Sequence, residues 1–144
     1  MNANELMKYD WVMNDRIGVC QVIGLPREVK DYPIEITVMY PAEGFTEIRN
    51  IGEHYIQPIP LTPKILEKNG FERRKETRVD CYDLRQDKAS VYLEIKDRIE
   101  HEWLCVIGRH YPTSWRCRLE LRVHEVHELQ HALRLAGINK EIVL

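Results

Sequence analysis

A chain of 144 residues that is 44% hydrophobic has enough apolar side chain to fill one ordinary domain or two very small ones, so a folded globular protein is expected. Its 21 basic and 23 acidic residues give a net charge of −2, and cutting at Gly70 leaves 7 basic and 10 acidic residues before the cut and 14 and 13 after it. Neither part has the cationic excess that usually marks a nucleic-acid binder, and no apolar run has the length of an export signal or a bilayer span; the expectation is a cytoplasmic protein without membrane contact.

Taken in chain order, Trp11 to Met13 and Ile17 to Ile23 read as strands flanking the polar turn Asn14-Asp15-Arg16, with Gly24-Leu25-Pro26 closing the second. Ile34, Ile36, Val38 and Tyr40 alternate with Glu35, Thr37 and Met39, the period of a strand with one face on a core, and Pro41 and Gly44 then force a turn. Phe45 to Ile51 and Tyr55 to Ile59 complete five short strands, which predict a small SH3-like β-barrel over residues 1–60. The segment from Leu61 to Gly70 spells a helix over 62–69: Thr62 suits the N-cap, Pro63 the first helical position, Leu61 a staple against Leu66, and Gly70 a left-handed stop.

Over residues 61–144 this connecting helix is followed by an expected antiparallel β-meander. Val91, Leu93 and Ile95 alternate with Tyr92, Glu94 and Lys96; Trp103 to Ile107 is apolar on both faces, as a central strand would be; and Arg109 to Ser114 reads as a hairpin loop. Trp115, Cys117, Leu119, Leu121 and Val123 then point one way and Arg116, Arg118, Glu120, Arg122 and His124 the other. A closing helix over 125–136 gathers Val126, Leu129, Ala132, Leu133 and Ala136 on one face, to pack against the meander, and ends at Gly137 with Ile138 placed against Leu133. The fold class is therefore α+β.

Four cysteines, Cys20, Cys81, Cys105 and Cys117, lack any C-x-x-C spacing and read as reduced core residues. His127-Glu128-Leu129-Gln130-His131 matches the H-E-x-x-H pattern in which two histidines one turn apart hold zinc and the glutamate activates water, and His124 lies near the same helical face. The context argues against a hydrolase: Arg134 and Gly137 stand where an extended zinc motif needs glycine and a third histidine, and the two histidines lie opposite the apolar stripe, facing solvent. No cofactor, metal site or catalytic set is expected.

Two binding constellations remain. Arg116, Arg118 and Arg122 at two-residue spacing could line one sheet face and grip phosphates or acidic side chains, unless Glu94 and Glu120 pair with them. Tyr9, Trp11, Tyr40, Phe45 and Tyr55 could line a groove on the barrel, although at least half of them should be core. The cluster Arg73-Arg74-Lys75 with Arg78 is diluted by Glu72, Glu76, Asp80 and Asp83 and reads as a solvated loop.

Pro58 to Phe71, the opening Asn2-Ala-Asn-Glu-Leu6 and the ending Val126 to Ile138 resemble a family of small uncharacterised proteins encoded in Bacteroidales genomes, their phages and mobile elements, with Phe71 to Arg122 as a variable strand region. The resemblance implies no established activity; family members can carry glutamine and asparagine at the positions of Glu128 and His131, which weighs further against metal. The reading is a non-enzymatic protein-interaction or regulatory protein that binds a protein partner through Trp11, Tyr40 and Tyr55 or through the arginine face. The alternatives are a nucleic-acid-binding module on Arg116, Arg118 and Arg122, and a zinc hydrolase on His127, Glu128 and His131.

Overall fold

The computed structural model describes residues 3–29, 32–42, 45–75, 79–97 and 102–144. Gly44, Glu76 and Arg78, and the side chain of Phe45, lie outside the described residues. The fold is α+β, with antiparallel strands in two five-stranded sheets, and the chain divides into two compact units, Met1–Ile59 and Pro60–Leu144.

In the first unit, strands β1 (Trp11–Asn14), β2 (Gly18–Val29), β3 (Tyr32–Ala42), β4 (Phe45–Gly52) and β5 (Ile56–Gln57) lie in the order β4-β3-β2-β1-β5, with 3-10 turns at Ala3–Glu5, ahead of β1, and Glu53–Tyr55, between β4 and β5. Asn14 makes the first hairpin: its Oδ1 accepts from the amides of Arg16 (2.9 Å) and Ile17 (3.2 Å), the positive φ that follows falls on Gly18, and its Nδ2 donates to the Tyr55 carbonyl at 2.7 Å. The alternation read from Ile36 to Tyr40 is realised, since Ile36, Val38 and Tyr40 are buried with Val12, Cys20, Val22 and Ile56 in one cluster. The expected end of β2 at Gly24-Leu25-Pro26 is not observed. The strand runs on to Val29, and its register with β3 shifts three times between Val22 and Val29, irregularities that let a paired strand carry a proline. Among the described residues β4 and β5 do not pair, so no closed barrel is formed.

The second unit opens with helix α1 (Pro63–Lys68), capped by Thr62, whose Oγ1 accepts from the Ile65 amide, and stopped by Gly70 at φ +73° with Phe71 N–H returning to the Leu66 carbonyl at 3.0 Å. Strands β6 (Glu72–Arg73), β7 (Cys81–Gln86), β8 (Ala89–Asp97), β9 (Glu102–Tyr111) and β10 (Ser114–Val123) follow in the order β10-β9-β8-β7-β6. The expected loop from Arg109 to Ser114 is mostly strand, with Tyr111 and Ser114 paired and only two residues turning. Helix α2 (Val126–Ala136) packs on β8, β9 and β10 and ends at Gly137, φ +73°, with Ile138 N–H on the Leu133 carbonyl at 2.9 Å. The sheet face beneath α2 carries Tyr82, Val91, Leu93, Ile95, Trp103, Cys105 and Ile107, all buried, with Tyr82 and Trp103 edge to face at 5.9 Å.

Asn69, 2% exposed, fastens the C-terminal tail to this core. Its Nδ2 donates to the Ile65 and Val143 carbonyls and its Oδ1 accepts from the Val143 amide, each at 2.8 Å, while Ile138 and Ile142 are buried. Leaving buried backbone groups unpaired costs about 1–3 kcal/mol each. Asn69→Ala is therefore expected to lower unfolding free energy by about 2–4 kcal/mol and to release Val143 to fast amide exchange, both measurable by denaturant titration and hydrogen-exchange mass spectrometry.

Candidate functional site

A single extra residue in β10 rearranges the face that the alternation predicts. Ser114, Trp115, Arg116 and Cys117 pair with Tyr111, His110, Arg109 and Gly108, but Leu119 then pairs with Ile107, leaving Arg118 as a bulge. Side chains that oppose each other across an antiparallel pair share a face, so one inserted residue exchanges the two faces of everything on one side of it. Leu119, Leu121 and Val123 lie on the α2 side with Trp103, Cys105 and Ile107, whereas Trp115 and Cys117 lie on the opposite side with Gly108, His110, Glu120 and Arg122. This corrects two expectations. Cys117 is exposed instead of sharing the core with Cys20, Cys81 and Cys105, and the three arginines do not form one row. Arg116 stacks over Tyr111 (5.7 Å) on the α2 side, Arg118 borders a cleft with Lys88, Arg109 and Gly137 at the end of α2, and Arg122 is on the far face, ion-paired with Glu102.

The aromatic groove of the first unit is not assembled either. Tyr40 is buried in the core cluster, its hydroxyl donating to Glu47 at 2.5 Å beneath the Arg49 guanidinium; that hydrogen bond is the main reason its phenol is held above the ordinary tyrosine range. Trp11, opposite Gln21 and through it Met39, falls on the other face of the sheet from Tyr40, and Tyr55 is exposed on the 3-10 turn.

In the H-E-x-x-H segment the glutamate carboxylate is engaged by the backbone. Glu128 Oε2 accepts from the backbone amides of His124 (2.6 Å) and Glu125 (3.1 Å), closing a capping box with N-cap Glu125. His127, expected to face solvent, is 2% exposed, because the buried arc of α2 takes in Val126, His127, Gln130 and Leu133 and is wider than the apolar stripe. Its Nδ1 lies 3.3 Å from Glu125 Oε2, and its ring meets the half-buried His131 edge to face at 5.7 Å. Among the described residues no three histidine, cysteine, aspartate or glutamate side chains converge as a metal-ligand set, and His124 does not join the pair.

What the bulge does assemble is a cleft of about 360 Å³ on the face opposite α2, lined by Arg74, Asp83, Arg85, Ser90, Tyr92, His110 and Trp115. Trp115 lies across Gly108, where a Cβ would come within 2.3 Å of the indole, and its Nε1 donates to Ser90 Oγ at 2.9 Å. Tyr92 donates to Cys81 Sγ at 2.9 Å and to Glu94 at 3.4 Å, and burial, followed by these neighbours, raises its phenol well above the ordinary range. The Arg74 guanidinium covers the Tyr92 ring at 5.0 Å and meets Asp83 at 3.4 Å; Arg85 meets the same carboxylate at 3.3 Å. None of Trp115, Tyr92, Arg85 and Asp83 stands out as a site residue in the sequence. The one available signal is the isolated Gly108 inside an apolar strand, which marks a close approach by another group.

No protein-family model matches the chain, and neither a curated protein nor a solved structure is similar to it.

Three outcomes follow from this geometry. Burial pushes the thiols of Cys20 up to about 11 and Cys105 to about 12, so at pH 8 only Cys117 of the four should react rapidly with a disulfide reagent, and Cys117→Ser should remove that fast phase. Because both folded-state values are raised, their contribution to stability is intact below the ordinary thiol value of 9.0 and declines as pH rises from there toward about 11 and beyond, which an alkaline denaturation series would follow. Glu128→Ala removes two caps and is expected to cost about 1–2 kcal/mol in thermal or urea unfolding; an unchanged stability would mean that the carboxylate is not serving the helix.

Proposed function

We propose that the protein is a non-enzymatic interaction or regulatory protein of the cytoplasm that receives an extended, acidic segment of a protein partner along the outer edge of β10. The observation that carries this reading is the exposure of that edge. Among the described residues no strand pairs with the outer side of β10, every residue from Ser114 to Glu120 is exposed, and Trp115 (44%) and Leu119 (39%) present apolar surface there. A long edge with unpaired amides and apolar side chains is a template for strand addition. The rival edge, β4, is shorter, and among its described side chains Ile48 is the one large apolar group exposed.

The charge around β10 favours an acidic strand. Arg116, Arg118 and the neighbouring Arg109 are exposed cations, while Arg122 is already paired with Glu102. We read the first unit as an open variant of an SH3-like barrel: its five strands form a meander whose last strand pairs with the first, and among the described residues the β4 and β5 edges are left unjoined. With Arg116, Arg118 and Arg122 divided between positions, the nucleic-acid alternative loses the arginine row it relied on.

Ten-residue peptides alternating Glu or Asp with Val or Thr are the direct probe. Their binding, read by fluorescence anisotropy, should protect backbone amides between Ser114 and Val123 from exchange and should weaken at least about tenfold in the double variant Arg116→Glu, Arg118→Glu, a change of about 1.4 kcal/mol. Equal binding of lysine-containing counterparts, or unprotected β10 amides at saturation, would reject the reading.

A further inference from the structure

We infer that the Trp115–Tyr92 cleft is a binding site for a small aromatic anion, a flat ring carrying one acidic group. The cleft lies on the face of the sheet and is walled by residues of β7, β8 and β9, and it shares only Trp115 with the edge proposed to take a strand. Its volume of about 360 Å³ falls within the range of small-molecule sites, roughly 300–1,000 Å³.

The flat ring follows from Trp115. An exposed tryptophan on an edge strand ordinarily samples several rotamers, but this indole rests on the bare backbone of Gly108 and is held through Nε1 by Ser90, itself buried. It remains 44% exposed in that fixed position. A rigid aromatic surface open to a cleft stacks a planar ligand without losing conformational freedom on binding. Tyr92 is fixed in the same way at its hydroxyl, and the Arg74 guanidinium laid over its ring offers a second planar surface.

The acidic group follows from the charges. The lining holds two guanidinium groups and one carboxylate, and Arg85 approaches that carboxylate through Nε, its side chain 58% exposed. The terminal amines of Arg85 donate no hydrogen bond to any described residue, so the two-pronged edge that suits carboxylate and phosphate is open to a ligand. A neutral ring would leave the terminal amines of Arg85 unused, a bare anion would leave the indole unstacked, and a cationic ring would meet Arg74 and Arg85 first.

The test is isothermal titration of the full chain, without peptide, with four probes: adenosine 5′-monophosphate, indole-3-acetate, adenosine and inorganic phosphate. Saturable binding of at least one of the two aromatic anions is expected, with adenosine and phosphate at least about tenfold weaker. Binding of the monophosphate alone identifies the source as a nucleotide; binding of both shows that ring and acid suffice. Arg85→Ala, at an exposed position, should weaken the bound anion about tenfold or more with an unchanged melting curve, and Trp115→Leu should weaken it to the same degree. Failure of both anions to bind, adenosine binding as tightly as its monophosphate, or an unaltered affinity in Arg85→Ala would overturn the assignment. Arg85 has no part in the β10 edge, so Arg85→Ala separates the two readings: it should weaken the anion and leave peptide capture intact, while Arg116→Glu, Arg118→Glu should weaken peptide capture and leave the anion bound.

Discussion

The insertion of Arg118 into β10 governs the second unit. A strand has a side-chain period of two, so a bulge is the smallest change that can send its two halves to opposite sides of a sheet. Downstream of Arg118, Leu119, Leu121 and Val123 follow the inner surface laid down by Ile107, Cys105 and Trp103; upstream, Trp115 and Cys117 follow Gly108 and His110 on the outer surface. Without the bulge Trp115 would fall on the α2 side of the sheet, and Tyr92 would be the one fixed ring among the described residues lining the outer cleft. Gly108 makes the arrangement possible, because a β-carbon at that position would overlap the indole. The bulge and the glycine are two parts of one steric solution.

The same unit shows a residue of a chemical motif serving the fold. Glu128 has the position of a catalytic base in the sequence, yet its carboxylate holds the two amides that begin α2, and Glu125 completes the reciprocal cap. Leu61, at the unit's start, donates its amide to the His124 carbonyl at 2.8 Å and accepts from Trp103 Nε1 at 3.2 Å, so the helix start, the chain entry and the central strand are locked together. Asn69 does the equivalent at the other end by pairing with Val143 as a strand would. Helix placement, the inner sheet face and the tail thus depend on a few polar clasps around an apolar interior.

The elements that were legible in the sequence are those whose signals are local. Thr62, Pro63 and Gly70 bound α1 through their own backbone preferences, and Gly137 ends α2 for the same reason. The alternation from Ile36 to Tyr40 holds because no irregularity interrupts it. Features set by a neighbouring strand were not legible. Pro26 ends a strand by its own chemistry but is tolerated in β2 where the register with β3 slips, and the regular pattern from Trp115 to Val123 conceals a bulge that only pairing with β9 reveals. The burial of His127 likewise depends on the depth at which α2 sits, which a helical wheel does not contain. The candidate site was therefore the least legible part: Trp115 reads as core, Arg116, Arg118 and Arg122 as one row, and the cleft residues are drawn from strands far apart in the chain.

Charge distribution limits how any ligand of the second unit can be recognised. Residues 60–144 hold 16 basic and 14 acidic side chains, and residues 1–59 hold 5 and 9, so neither unit generates a strong positive field. Long-range attraction of phosphate polymers requires a cationic excess that is absent, and at physiological salt fields of this size are screened within about 8 Å. Recognition must then be short-range, made by groups already in place. That condition is met where an indole is locked by Gly108 and Ser90 beside an arginine with open donors, and along an edge strand whose amides are aligned by β9. For the two binding modes proposed, rigid geometry at close contact would set selectivity, and the inserted residue in β10, which places Trp115, would matter more than the total of the charges.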